Sequence, residues 1–220
     1  MKNIVITGTN RGIGLSLTKQ YQQQSCHVYA VCRKASSELR STGAHIIEGA
    51  DVTESASIDL LKDALSGVEI DLLINNAGLL QHEVLGNIDF DSIQAQMNVN
   101  AYGPLRVTEA LKDNIKGGGK IAMITSRMGS IEDNTSGGRY GYRMSKAALN
   151  IATVSIAQDL KHRGIAVGIF HPGLVGTDMI GGIGDITPDQ AANRLCQRIE
   201  ELNIENTGTF RHSNGESLPW

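Results

Sequence analysis

The residues best suited to chemistry lie in YRMSK, where Tyr142 and Lys146 stand four positions apart at the start of a strongly helical run. Side chains at that interval share one face of a helix. A free phenol keeps its proton to about pH 10, and a neighbouring ammonium favours the phenolate, so the pair could donate and accept a proton near neutral pH. The same interval also arises by accident, as a half-buried tyrosine beside a solvated lysine. The pair gains meaning only from its surroundings.

A second group of residues points to an anion. TGTNRGIG places Gly8, Gly12 and Gly14 directly after a short apolar run and ahead of a helical one. The first N–H groups of a helix are unpaired and, with the helix dipole, favour phosphate, while glycine lets the backbone approach closely. A diphosphate-bearing dinucleotide is the natural ligand; in a chain with 25 glycines the alternative is a plain strand-to-helix turn. The second apolar run ends AVCRK, where an NAD-specific site would usually place an acid to bind the ribose hydroxyls. Arg33 stands there instead. Its guanidinium suits a 2′-phosphate, and Arg11 in the glycine turn could reach the same group, so NADP(H) is expected in preference to NAD(H). The plainer reading makes Arg33 and Lys34 solvated charges at a strand end. Asp51 in GADVTE could accept a hydrogen bond from the adenine amino group, or serve as an acid at a helix N-terminus beside Thr53. A nicotinamide gives the first pair its setting: the positive oxidised ring would add to the ammonium in favouring the phenolate, and Lys146 would also bond the nicotinamide ribose.

These groups need a frame. Short apolar or β-branched runs recur at Asn3 to Thr7, His27 to Cys32, Ala44 to Glu48, Asp71 to Ile74, Lys120 to Thr125 and Ile165 to Phe170, with a last strand at Thr207 to Phe210. Between them, Leu15 to Gln23, Ile58 to Leu65, Ile93 to Leu111 and Ser145 to Leu160 carry helical spacing. Alternating strands and helices predict a doubly wound, Rossmann-type parallel sheet in three αβα layers, one domain over residues 1–220. Ligands in such a fold sit beyond the carboxyl ends of the strands. The glycine-rich stretch from Gly173 to Asp185, closed by Thr187 and Pro188, reads as a mobile loop placed to act as a lid.

Composition narrows the class. Forty per cent hydrophobic content supports one substantial core, and 20 basic against 23 acidic residues leave a net charge of −3 without a basic arm for nucleic acid. Cys26, Cys32 and Cys196 form no CxxC pair and suit a reducing compartment, so a cytoplasmic protein is expected. No metal site is expected. No apolar stretch is long enough to span a membrane, and MKNIVITG holds too short an apolar run for a signal peptide.

TGTNRGIG, NNAG, an Asn ahead of Tyr-Gly, a Ser after the fifth strand, YRMSK and HPG occur in the order found in short-chain dehydrogenases/reductases. The chain resembles that family over nearly its whole length. IEDNTSGGRYGYRMSKAALN and the GESLPW ending are similar to a subgroup of carbonyl reductases that also holds proteins with developmental or signalling names. The resemblance implies that Tyr142 protonates the substrate oxygen, that Ser126 hydrogen-bonds the same oxygen, and that Lys146 completes the core. It also implies that Asn100 kinks its helix and holds a water linking Lys146 to solvent. Asn98 competes for that role, but Gly103 stands three positions after Asn100, as the family pattern asks. Ser126 is preferred to Ser130 because Gly129 completes a Ser-x-x-Gly pattern, and Tyr140 is set aside because Met144 follows it at the lysine position.

The cofactor contacts implied are Gly8, Asn10, Arg11, Gly12, Ile13 and Gly14 in the first turn, with Arg33, Asp51 and Val52 after the next two strands. They continue through Asn75, Ala77 and Gly78 of NNAG, Tyr142 and Lys146, then Pro172, Gly173, Val175 and Thr177 of HPGLVGT. The expected activity is hydride transfer between NADP(H) and a small carbonyl or alcohol substrate. The alternative is a regulatory module that binds NADP(H) with little turnover; the intact Ser126, Tyr142 and Lys146 favour the enzyme. A homodimer or homotetramer built on the helices of Asn100 and Tyr142 is also implied.

Overall fold

The computed structural model describes residues 1–220. Its strands are β1 (Asn3–Thr7), β2 (His27–Cys32), β3 (His45–Glu48), β4 (Ile70–Asn75), β5 (Ile115–Ile124), β6 (Ala166–His171) and β7 (Phe210–His212). The helices are α1 (Gly12–Gln23), α2 (Ser37–Arg40), α3 (Ser55–Ala64), α4 (Phe90–Met97), α5 (Gly103–Leu111), α6 (Tyr140–Leu160) and α7 (Pro188–Glu201). All seven strands form one parallel sheet in the order β3-β2-β1-β4-β5-β6-β7.

The alternation of side chains along β1 builds the three layers. Val5 points into a core shared with Leu61 of α3, Val107 and Leu111 of α5, and Leu149 and Ala157 of α6. Ile4 and Ile6 point the other way, onto Leu17 and Tyr21 of α1 and Leu195 and Ile199 of α7. Both faces of the sheet are thus covered, which is why the central strands read as unbroken apolar runs. Each fully buried Leu or Ile contributes about 1.5–3 kcal/mol. No helix is long and apolar enough to cross a membrane.

The strand order reverses between β1 and β4, and the crevice at their carboxyl ends is where such a sheet receives ligands. Several boundaries differ from the sequence expectations. β5 starts at Ile115 rather than Lys120, because the Gly-rich stretch forms an irregularity inside the strand, with Gly118 at φ 78 and a register shift between Ile70 and Leu72. β7 is Phe210–His212, displaced past Gly208 at φ 75 and paired to β6 through Ile169 and Phe210. The helix expected over Ile93 to Leu111 is divided into α4, a π-helical turn at Asn98–Tyr102, and α5. α6 starts at Tyr140, five residues before the expected Ser145, so Tyr142 and Lys146 both lie on it. The loop from Gly173 to Asp185 is tied at its base by a bridge between Val175 and Ile186 and holds a short 3-10 turn at Asp178–Ile180.

Candidate active site

Ser126 follows β5 and caps a 3-10 turn, its Oγ accepting a hydrogen bond from the Met128 N–H at 3.1 Å. Gly129 lets that turn rest on α6: a Cβ there would lie 2.8 Å from the Lys146 carbonyl carbon and 2.9 Å from Asn150 Nδ2. The spacing of Ser126 and Gly129 is therefore a packing requirement that presses the serine loop onto the lysine's own turn. Tyr142 is 9% exposed and Lys146 4%, so both polar groups are held away from water. The lysine ammonium lies 5.7 Å from the centroid of the Tyr142 ring, and its Nζ donates to the Ile124 carbonyl at 3.0 Å.

In the chain itself the Tyr142 pKa lies above its ordinary value, whereas the lowering expected from the sequence counted a bound oxidised nicotinamide as well as the lysine. Burial pushes the phenol up to about 12, while hydrogen bonding with Ser126 and the charge of Arg139 pull more weakly downward. Burial also brings Lys146 down to about 8. Desolvation disfavours the charged form of each group and outweighs the protein charges around the phenol. Among those charges the influential one is Arg139, not Lys146.

Asn100 sits in the π-helical turn and is wholly buried. Its Oδ1 accepts from the Leu79 N–H at 2.7 Å, and its Nδ2 donates to the Leu79 carbonyl at 2.7 Å and to Ser145 Oγ at 2.9 Å. The side chain binds the loop after NNAG to α6. The competing Asn98 meets only Gln94, at an exposed position. Ser130 ties its loop to Trp220, donating to the Trp220 carbonyl at 2.9 Å and accepting from the Asp133 N–H at 3.0 Å.

On the other side of the crevice, the N–H groups of Gly12, Ile13 and Gly14 find no acceptor in the chain, and α1 has neither a capping side chain nor an acid in its first turn. That arrangement fits an anionic diphosphate. Gly14 cannot carry a side chain, since a Cβ would strike the Gly8 carbonyl oxygen, and a Cβ on Gly8 would lie 2.8 Å from the Ala77 Cα. Thr177 comes against the same turn: its Cγ2 would be 3.3 Å from a Cβ on Gly12. Asn10 is pinned through its carbonyl by Ser36 Oγ at 2.7 Å.

Arg33 and Asp51 face each other at 3.7 Å, as do Arg11 and Asp178. Both arginine side chains are more than half exposed, so these pairs are screened and their guanidinium groups remain open to a stronger anion. Asp51 Oδ1 also accepts from the N–H and hydroxyl of Thr53 at 2.9 and 2.8 Å. Burial would raise that carboxyl, but the Thr53 bonds and Arg33 leave it below its ordinary range. Val52 packs on the backbone of Gly103, where a Cβ would lie 2.7 Å from its Cγ2. Asn75 is buried and donates to Thr108 Oγ1 at 3.2 Å, and Gly78 lies beside Asn100. Pro172 accepts from Ser213 Oγ at 2.8 Å, Gly173 adopts φ 98, and Val175 is buried.

The short chain dehydrogenase family profile matches residues 2–186. The chain belongs to the short-chain dehydrogenase family. This dehydrogenase is 38% identical over 226 residues to the 1-hydroxy-2-glutathionyl-2-methyl-3-butene dehydrogenase of Rhodococcus sp. (strain AD45), with both chains fully covered. Its fold is similar to that of carbonyl reductase Sniffer of D. melanogaster, with TM-score 0.92, 28% identity and full coverage of both chains. An NADPH-bound carbonyl reductase from chicken fatty liver is also similar, at TM-score 0.90 and 28% identity over all of this chain and 99% of that one. The dehydrogenase is thus a hydride-transfer oxidoreductase of CH–OH or C=O groups that uses a nicotinamide cofactor.

Three residues that hold this site together escaped the sequence reading. Asn76 of NNAG donates its backbone N–H to Thr7 Oγ1 at 3.0 Å and its Nδ2 to the carbonyls of Thr7 and Gly8 at 3.0 and 3.1 Å. It stitches the end of β4 to the glycine turn. Thr125 Oγ1 donates to Asn150 Oδ1 at 2.7 Å, fixing the strand end beside Ser126. Glu83 is buried and accepts from Ser92 Oγ and Gln96 Nε2, both at 2.6 Å, and from the Gly141 N–H at 3.1 Å, so it caps the first turn of α6 from outside the helix. Nothing in QHEVLG signals a buried carboxylate.

Proposed function

We propose that this dehydrogenase reduces a small aldehyde or ketone with NADPH, Tyr142 giving the proton to the substrate oxygen. The observation that carries the reading is the joint burial of Ser126, Tyr142 and Lys146 at the carboxyl end of β5, opposite the unpaired N–H groups of α1. When bound, the nicotinamide supplies hydride to the carbonyl carbon, or accepts it from the alcohol in the reverse direction. Ser126 Oγ hydrogen-bonds the carbonyl oxygen and fixes its position. Tyr142, whose pKa lies about 12, keeps its proton at neutral pH and so holds it where reduction requires it. Lys146, at about 8, exchanges protons near neutrality and resupplies the phenol, with Asn100 ordering the route to solvent. In the reductive direction a carbonyl, NADPH and one proton become an alcohol and NADP⁺.

Gly12, Ile13 and Gly14 would hold the diphosphate, Arg33 and Arg11 the 2′-phosphate, and Asp51 and Val52 the adenine side. Asn75, Ala77 and Gly78 would line the adenosine ribose, and Pro172, Gly173, Val175 and Thr177 the carboxamide. The screened pairing of Arg33 and Arg11 supports NADP(H) over NAD(H), since a 2′-phosphate can displace a carboxylate held at 3.7 Å. The NADPH-bound relative supports the same choice. Exposed Tyr102, Leu105 and Ile151 on the helices of Asn100 and Tyr142 support assembly as a dimer or tetramer through those faces.

The test is a fluorescence titration with NADPH and NADH, followed by oxidation of the bound NADPH against a panel of aldehydes, ketones and diketones. Tighter NADPH binding with turnover is expected. Binding without turnover on any carbonyl would contradict the reading.

A further inference from the structure

A depression of about 270 Å³ is lined by Arg127, Met128, Asp133, Ser136, Arg139 and Arg143, among others, several of them near Ser126 or Tyr142 in the chain. Arg127 directly follows the serine, and Arg139 and Arg143 bracket the tyrosine. The charges do not balance. Asp133, the acid in the lining, is engaged by Arg127 Nε at 2.7 Å. Arg139 and Arg143 meet no carboxylate: Arg139 Nε donates to His82 Nδ1 at 3.3 Å and its NH1 to Met128 Sδ at 3.8 Å. Arg143 donates to the Gly138 carbonyl at 3.2 Å and to Ser136 Oγ at 2.9 Å, both neutral. The buried Glu83 has its oxygens committed to Ser92, Gln96 and Gly141.

The excess of positive charge is also well directed. Arg139 is the N-cap residue of α6, held at φ 50 and ψ 48, where the helix dipole adds to its own charge. That charge is felt at the Tyr142 phenol, the group that would face the substrate oxygen. Two guanidinium groups with only neutral partners, one of them acting on the phenol that would face the substrate oxygen, match an anionic oxygen group on the same molecule.

We infer that this dehydrogenase selects carbonyl or alcohol substrates that carry a carboxylate, held by Arg139 and Arg143 while the reacting oxygen lies at Ser126 and Tyr142. The inference rests on the hydride-transfer reading above. The probes are a matched pair, 4-carboxybenzaldehyde and methyl 4-formylbenzoate, reduced by the NADPH-loaded protein at low and high salt. The acid should exceed the ester in kcat/KM by about tenfold at low salt, mostly through KM, and the ratio should fall toward one as salt screens the contact. Arg139→Gln and Arg143→Gln should each lower the ratio. Should Arg139→Gln fail to fold, Arg143→Gln and the salt dependence still decide. An ester reduced as well as the acid, or a ratio indifferent to salt and to both substitutions, would overturn the inference. If neither probe turns over, the wider carbonyl panel above decides the hydride-transfer reading. The dissociation constants of 4-carboxybenzyl alcohol and its methyl ester, measured on the same holoprotein, then test the carboxylate contact alone: preference for the acid upholds it, and equal binding overturns it.

Discussion

On the β1 to β3 side of the crevice the site is made of backbone: unpaired N–H groups at Gly12 to Gly14, glycines whose missing Cβ atoms let strand and turn touch, and two arginines left mostly in solvent. On the β4 to β6 side it is made of buried side chains: Asn100, Thr125, Ser126, Tyr142, Lys146 and Asn150 are all under 10% exposed, with Asn100 bonded to Ser145, Thr125 to Asn150 and Lys146 to the Ile124 carbonyl. The first arrangement suits a ligand that carries its own charge. The second withdraws titratable groups from water and so sets their pKa values. Under the proposed function, binding and proton transfer fall to separable parts of one edge of the sheet.

Substitutions can break that division or sharpen it. Ser126→Ala, on the side-chain half, should lower kcat by about 10²–10³ while NADPH affinity changes little, as steady-state rates beside a fluorescence titration will measure. A matching loss of affinity would show the two halves to be one unit. Gly14→Ala, on the backbone half, should cost about 1–3 kcal/mol, or roughly 2–4 °C in Tm per kcal/mol, and weaken NADPH binding, because the new Cβ must displace the Gly8 carbonyl. Thermal denaturation unchanged from wild type would refute the close approach. Arg33→Asp should move the ratio of NADPH to NADH affinity by about tenfold toward NADH without altering the alkaline limb of the rate profile.

The smallest effect is a matter of pH. Lys146 has a folded pKa of about 8 against an ordinary value of 10.5, so kcat/KM for reduction should be halved near pH 8 and fall further above it. Tyr142, at about 12, adds no limb in that range. The sign for stability is opposite: between those two lysine values the unfolded chain binds the extra proton, so folding gains stability as pH rises from about 8 to 10.5 and loses it as pH falls back through 8. Lys146→Met should flatten both dependences.

The division also explains what was legible in the sequence. Gly8, Gly12 and Gly14 lie within one local turn, and Tyr142 and Lys146 within one helix, so their placement could be read from spacing alone. The apolar runs of β1, β2 and β6 were likewise recognisable, because strands covered on both faces carry their burial in composition. Glu83 was not, since it acts on Gly141, 58 residues away, through a contact that only the tertiary fold creates. The start of β5 was hidden by a Gly-rich stretch that reads as a turn but forms an irregular strand. The upward push on Tyr142 in the chain itself was hidden for a related reason: the adjacent lysine is visible in the sequence, whereas the burial that outweighs it is not.

The central claim, that Tyr142 transfers the proton and takes little part in holding the cofactor, is tested most directly by Tyr142→Phe, assayed for NADPH dissociation constant and for reduction of the best carbonyl on one preparation. The account predicts that turnover falls by about 10²–10⁴ while the dissociation constant stays within about twofold of wild type. Turnover at the wild-type rate would contradict it, as would loss of NADPH binding together with activity.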